Sequence, residues 1–205
     1  ELVPNDGYVS LVNPDGSAHT LKWIGVNRNG LTLNHPLGSD IANGMLYVVD
    51  IATVRWFDMK TGEPKGNVQV PGVIRFNDLE VAADGTIYAT QTGTTDATTW
   101  KVYKITPQGQ ATAVITGAPL NLPNGIAFDL KGNLVVVNVG NNAVLTFSPD
   151  GKLLLSLGAP GGGRDANYFW QPNDVLVAPD GSIFVAEGHG GDNARVLKFA
   201  ADGKF

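Results

Sequence analysis

The sequence contains no cysteine, which excludes disulfides, thiolate metal sites and a cysteine nucleophile but suits oxidising and reducing compartments alike. Positive charge is scarce as well. Only 14 of the 205 residues are Lys or Arg against 19 Asp and Glu, the net charge is −5, and no basic run occurs, so the electrostatic footprint of a nucleic-acid binder is missing. No apolar stretch approaches the ~20 residues that a membrane helix needs, and neither nucleic acid nor membrane is expected as a partner. The chain opens on Glu1 rather than Met. That makes a preceding piece such as a signal peptide the expectation, and favours a secreted or periplasmic location over a cytoplasmic one. A G-x-S-x-G elbow, a P-loop and a G-x-G-x-x-G after a strand are all lacking. Gly161-Gly162-Gly163 has neither the Lys nor the helix that phosphate binding requires, and reads as a flexible inter-repeat loop.

Glycine is abundant, 26 residues, in a pattern of short apolar runs and tight turns. Three segments align without gaps, each running from Asn to Gly in eight steps: Asn77 to Gly85, Asn124 to Gly132 and Asn173 to Gly181. In each, alternating apolar residues lead to a Gly turn and a second apolar run (Ile87-Tyr88-Ala89, Leu134 to Val137, Ile183-Phe184-Val185), the signature of a β-hairpin. A fourth copy ends at Asn43-Gly44, and eight steps back from Gly44 lie at Pro36. A third strand and a second turn follow every hairpin, and a fourth strand follows where the chain permits. The interval between the Asn landmarks is close to the ~40–50 residues of a four-stranded propeller blade. No segment keeps a 3.6-residue apolar period, and the runs are rich in β-branched residues. The predicted fold is therefore all-β, a β-propeller of four-stranded antiparallel blades, with residues 1–205 forming a single domain of about four to five blades. The expected strands number seventeen, grouped two, four, four, four and three. That grouping predicts an incomplete C-terminal blade, a chain that continues beyond Phe205 or is completed by something else, and a risk of association through the unpaired edge.

Innermost strands of a propeller line its central channel, so Pro36, Asn77, Asn124 and Asn173 are expected around one axial mouth. Three amide oxygens there suit a hard divalent cation such as Ca²⁺; the competing reading is that each Asn caps its strand. Charge argues against the metal, because neutral amides leave the ion uncompensated. Asp78 and Asp174 are the nearest carboxylates, yet on a regular strand only one residue of each Asn-Asp pair faces the axis. Asp50, Gln91, Asn138 and Glu187 form a second register, six residues after each turn Gly, expected to tie blades together through loop backbone. Glu187 and His189 in a Gly-rich turn, Glu187 to Gly191, are a candidate metal or proton-shuttle pair. Of the other histidines, His19 falls on an outer strand and His35 near the mouth.

Arg75-Phe76-Asn77-Asp78, Pro123-Asn124-Gly125 and Pro172-Asn173-Asp174 resemble blade starts of the senescence marker protein, regucalcin and gluconolactonase family, six-bladed propellers that hydrolyse sugar lactones with one axial divalent metal. The resemblance implies that Asn77 and Asn124 are metal ligands, joined here by Asn173, and that Arg75 contacts substrate. The position of Asn173 is usually an Asp there, acting as ligand and general base. An Asn cannot be that base, which leaves Asp174. The family's first ligand, a Glu, has no counterpart, because Pro36 or His35 takes its place. The C-terminal part, including Gln171 to Asp174 and Ala194 to Phe199, also resembles NHL repeats of the peptidylglycine lyase type, whose axial zinc-binding His ligands are missing from the blade starts. The expected activity is metal-dependent hydrolysis of a small lactone or ester, with Asp174 as base, Arg75, His35 and His189 on substrate, and Ca²⁺, or else Zn²⁺ or Mn²⁺, at Asn77, Asn124 and Asn173. The alternative is a non-catalytic propeller that binds a ligand or protein on its loop face.

Overall fold

The structure is a computed structural model that describes residues 5–26, 31–190 and 193–205. Seventeen strands among them form five antiparallel sheets, set as blades of a propeller. Blade A has β1 (Tyr8–Val12) and β2 (Ala18–Gly25). Blade B has β3 (Pro36–Ala42), β4 (Met45–Asp50), β5 (Thr53–Asp58) and β6 (Pro64–Gln69). Blade C has β7 (Phe76–Val81), β8 (Ile87–Gln91), β9 (Lys101–Ile105) and β10 (Ala111–Thr116). Blade D has β11 (Pro123–Phe128), β12 (Leu134–Asn138), β13 (Ala143–Phe147) and β14 (Leu153–Leu157). Blade E has β15 (Pro172–Val177), β16 (Ile183–Glu187) and β17 (Arg195–Phe199). The expected grouping of strands and the blade fold are both found.

Packing between blades explains the apolar runs. Residues of β12 alternate in direction: Leu134 and Val136 join a cluster with Tyr88, Val102 and Ile126 on the blade C side. Val135 and Val137 join Val175, Val185 and Leu197 on the blade E side. A strand buried on both faces has no polar face, so it reads as a continuous apolar run. Equivalent cores lie between B and C around Val49, Val54, Phe76 and Leu79, and between A and B around Trp23, Ile24, Val48 and Phe57. The far face of blade E carries exposed Leu176 and Val196, in pairing register with Ala127 and Val144, which blade D buries against blade E.

Hairpin length corrects one sequence expectation. Blade B turns through two residues, Asn43 and Gly44, both with positive φ (52° and 75°), between the paired Ala42 and Met45. This is the Asn-Gly turn that matches strand twist. Blade C instead spaces Val81 and Ile87 by a longer loop, closed by Ala82 accepting from the Gly85 N–H and Asp84 accepting from the Thr86 N–H. Counting back from the turn Gly therefore overshoots by one in blade B. Strand pairing aligns Pro36 with Phe76, Pro123 and Pro172, each opposite the last residue of its second strand, so Leu37, not Pro36, is the fourth member of the Asn register.

Candidate functional site

Each inner strand is aimed by the residue paired with its start. Asp50 Oδ1 accepts the N–H of Asn34 (2.9 Å) and of His35 (2.8 Å). Gln91 Oε1 accepts from Ile74 (2.9 Å), Asn138 Oδ1 from Asn121 (3.1 Å) and Glu187 Oε1 from Trp170 (2.7 Å). The second polar register thus holds the lead-in loops, as its sequence position suggests, and a backbone donor is satisfied at each of the four described inner-strand starts. Glu187 is fully committed to this task, because Oε2 also meets Asn193 Nδ2 (3.1 Å) and Arg195 Nε (2.7 Å). It does not line the mouth, so the Glu187–His189 pairing is dissolved; His189 lines the mouth alone, and Gly191 lies outside the described residues. The glycine tract is no loose linker either. Arg195 donates to the carbonyls of Arg164 and Tyr168, the Gly163 N–H bonds Phe169 O, and Asn193 Nδ2 bonds Gly163 O (2.8 Å).

The start of each inner strand is bulged. Between Pro36 and Ser39, Phe76 and Leu79, Pro123 and Ile126, and Pro172 and Asp174, the inner strand spends one residue more than its partner. A bulge breaks alternation and re-aims side chains. Consecutive residues therefore reach the channel: the one-face rule for each Asn-Asp pair holds for a regular strand, and these strand starts are irregular. A single basin of ≈ 1160 Å³ is lined by His35, Arg75, Asn77, Asn124, Asn173, Asp174 and His189, all the residues that the sequence singles out for substrate, metal and base.

By register the basin is layered. His35, Arg75, Leu122 and Gln171 form its rim, followed by Leu37, Asn77, Asn124 and Asn173, then Gly38, Asp78, Gly125 and Asp174, and deeper Asp40 and Glu80. His35 thus takes the rim position matching Arg75, and no His stands in the Asn layer. Acid and glycine alternate around the third layer for a steric reason. A Cβ on Gly38 would stand 1.9 Å from Asp78 Oδ1, and one on Gly125 would stand 2.7 Å from Asp174 Oδ1. Carboxylates also stitch neighbouring inner strands: Asp78 Oδ2 accepts from the Ile126 N–H (3.0 Å) and Asp40 Oδ2 from the Val81 N–H (2.9 Å).

The Asn layer offers open oxygens. Asn77 Nδ2 donates to Thr92 Oγ1 (3.0 Å), which leaves its Oδ1 free, and Asn173 Oδ1 is buried with no hydrogen-bond partner. A hard cation takes such oxygens. No cluster of three or more His, Asp or Glu with metal-holding geometry occurs among the described residues, so the fit rests on the amides with the carboxylates beneath them. Asp40 and Glu80 escape a reading of the sequence because both lie beyond the Asn landmark, on strands where alternation alone cannot say which face is axial. Aligning the hairpins by strand pairing, which places Asp40 with Glu80, would have found them.

Burial pushes both Asp78 and Glu80 up to about 7, helped by the neighbouring charges of Asp174 and Asp40. Both groups thus hold their protons more tightly in the folded chain than in the unfolded one. The stability this confers is complete below about pH 4, declines as pH rises, and is lost above about 7. In chelator-treated protein, the melting temperature should fall between pH 5 and pH 8, and Glu80→Gln should flatten that fall. Equal slopes for the two proteins by calorimetry would contradict the assignment.

With that geometry in place, comparison with known proteins is decisive for the family. The profile of the SMP-30/Gluconolactonase/LRE-like region matches residues 6–204. The chain belongs to the SMP-30/gluconolactonase/LRE-like family. Among solved structures, this family member is similar to a gluconolactonase from Xanthomonas campestris (TM-score 0.63, 20% identity, 94% of this chain and 65% of that one). It is also similar to virginiamycin B lyase from Staphylococcus aureus (TM-score 0.58, 17% identity, 82% and 57%). Curated relatives include the peptidylglycine alpha-amidating monooxygenase of Rattus norvegicus, 38% identical over 88 residues, which are 41% of this chain and 9% of that protein. The probable peptidyl-alpha-hydroxyglycine alpha-amidating lyase of Caenorhabditis elegans is 39% identical over 88 residues, 24% of its length. The chain therefore spans a minor part of those curated relatives.

Proposed function

We propose that the basin is the active site of a hydrolase for a small lactone or ester, with a divalent cation, Ca²⁺ ahead of Zn²⁺ or Mn²⁺, held by Asn77, Asn124 and Asn173. The observation that carries this reading is the convergence of three Asn side chains from successive blades over a layer of carboxylates. A cation bound there would draw the protons off Asp78 and Glu80, and the resulting carboxylates would supply the negative charge that amides lack. When bound, such a cation supplies Lewis-acid polarisation of a carbonyl. Asp174 Oδ1 accepts the Val175 N–H (2.8 Å), so its second oxygen remains to take a proton from an attacking water. Arg75 has no ion pair among the described residues and stands on the rim, where its guanidinium can orient an anionic or hydroxylated substrate. Family membership and propeller relatives that include a gluconolactonase and lyases support an enzyme of this broad kind.

Titration with Ca²⁺, Mn²⁺ or Zn²⁺ followed by thermal melting tests the cation first. At an ion concentration of about 100 Kd the protein should gain about 2.7 kcal/mol, and Asn124→Ala should abolish the gain together with turnover of a lactone panel. No stabilisation by any of these ions would remove the hydrolase reading. A non-catalytic ligand-binding propeller is the second reading, and one observation favours it: the fourth place of the Asn layer is held by Leu37, an apolar residue, where a carboxylate would have completed the ligand set.

A further inference from the structure

Thr92, the residue just beyond β8, lines the basin with Asn77 and falls in neither polar register of the sequence. Its hydroxyl has two partners. Oγ1 donates to the carbonyl oxygen of Pro123 on blade D (2.6 Å) and accepts from Asn77 Nδ2 (3.0 Å). Proton counting fixes both directions. A carbonyl oxygen can only accept, so the single hydroxyl proton is committed to Pro123, and toward Asn77 the hydroxyl has only lone pairs to offer. Asn77 must therefore turn its NH2 group to Thr92. The reverse orientation of the amide would set Oδ1 against an oxygen with no proton left for it, and leave two acceptors facing each other. The orientation thus follows from the network rather than from the outline of the side chain, in which O and NH2 are alike.

Thr92 is itself held from both sides. Before it, the buried Gln91 accepts the Ile74 N–H at Oε1 and donates from Nε2 to Thr99 O. After it, Gly93 (φ 73°) folds the chain back so closely that a Cβ there would stand 2.3 Å from Thr99 Oγ1, the atom that accepts the Thr94 N–H (2.9 Å). The Trp100 indole N–H closes this loop on Thr94 O (2.7 Å). A hydroxyl carried on a backbone so constrained presents its partner in one orientation before any ligand arrives, which is how a supporting hydrogen bond raises the affinity of a metal ligand. The positions one past the clamp residue in blades B, D and E are Ile51, Val139 and Gly188, none of which bears a hydroxyl. Among these four blades the arrangement belongs to blade C.

We infer that Thr92 is a positioning residue for the cation site: its hydroxyl, anchored on the Pro123 carbonyl, holds the Asn77 amide so that Oδ1 is the atom left for the ion. This rests on the cation reading of the basin. Two measurements test it, Ca²⁺, Mn²⁺ and Zn²⁺ affinity by titration calorimetry and the side-chain amide resonances of Asn77 in metal-free protein, identified by their loss in Asn77→Asp. Thr92→Val keeps the shape and removes the hydroxyl. It should weaken ion binding roughly tenfold or more, the range for loss of a ligand's supporting hydrogen bond, and move the Asn77 resonances to those of a solvated amide. Thr92→Ser, which keeps the hydroxyl, should match wild type in both, and Thr92→Ala should repeat the loss if Thr92→Val folds poorly. Wild-type ion affinity in Thr92→Val, even with a lower unfolding free energy, would make Thr92 a tie between blades C and D only and overturn the inference. A fall in affinity with the Asn77 resonances unmoved would overturn it too, because the effect would not pass through Asn77. If wild type binds none of these ions, the cation reading fails, and the metal-free resonances then decide whether Thr92 orients Asn77: moved in Thr92→Val and kept in Thr92→Ser supports it, unmoved in both overturns it.

Discussion

Asp174→Asn should lower kcat for any lactone that the protein hydrolyses by roughly 10²–10⁴-fold, the range for loss of a positioned general base. The substitution keeps the shape and the acceptor for the Val175 N–H, and removes only the ability to hold a proton in transit. Asp174 is solvent-accessible in the basin and lies one residue after Asn173, where the bulge at the start of β15 turns it toward the channel. A companion measurement separates base from ligand. If Asp174 acts as the base, Asp174→Asn retains the melting-temperature gain on adding the cation, whereas Asn124→Ala loses it. A variant whose turnover stays within about threefold of wild type would show that the proton goes elsewhere. Asp78, whose carboxyl already accepts the Ile126 N–H, is then the next group to replace.

The largest stability effect is expected at Glu187. Its side chain is fully buried, and Glu187→Ala would leave the Trp170 N–H without its acceptor and take one partner each from the Arg195 guanidinium and Asn193 Nδ2, which keep their bonds to loop carbonyls. Breaking a fully buried pair from one side costs about 3–5 kcal/mol; with Arg195 partly exposed and still bonded to carbonyls, the cost here should be about 2–3 kcal/mol, a sizeable share of the ~5–15 kcal/mol that holds a domain folded. Glu187→Gln should cost markedly less, because Gln91 and Asn138 do the same work with neutral amides in blades C and D. Denaturant unfolding of the two variants checks this. Equal costs would mean that the charge, rather than the clamp on the lead-in loop, is what matters.

Alternating apolar residues and Gly turns at blade spacing determined by themselves that this chain folds as antiparallel blades. The recurring Asn residues were enough to place Asn77, Asn124 and Asn173 at one mouth, because β pleating and hairpin closure are local and each blade repeats them. Tertiary structure alone decided which neighbours of those residues share the channel. A two-residue turn in blade B shifts its register by one and brings Leu37 into the Asn layer. The bulges let Asp78 and Asp174 face inward beside Asn77 and Asn173, and bonds between blades hold Asp40 and Asp78 in place. The turn is a local property of Asn43-Gly44, whereas the bulges depend on how strands pair and the bonds on how one sheet meets the next, and contacts between residues so far apart in sequence leave no local pattern to read.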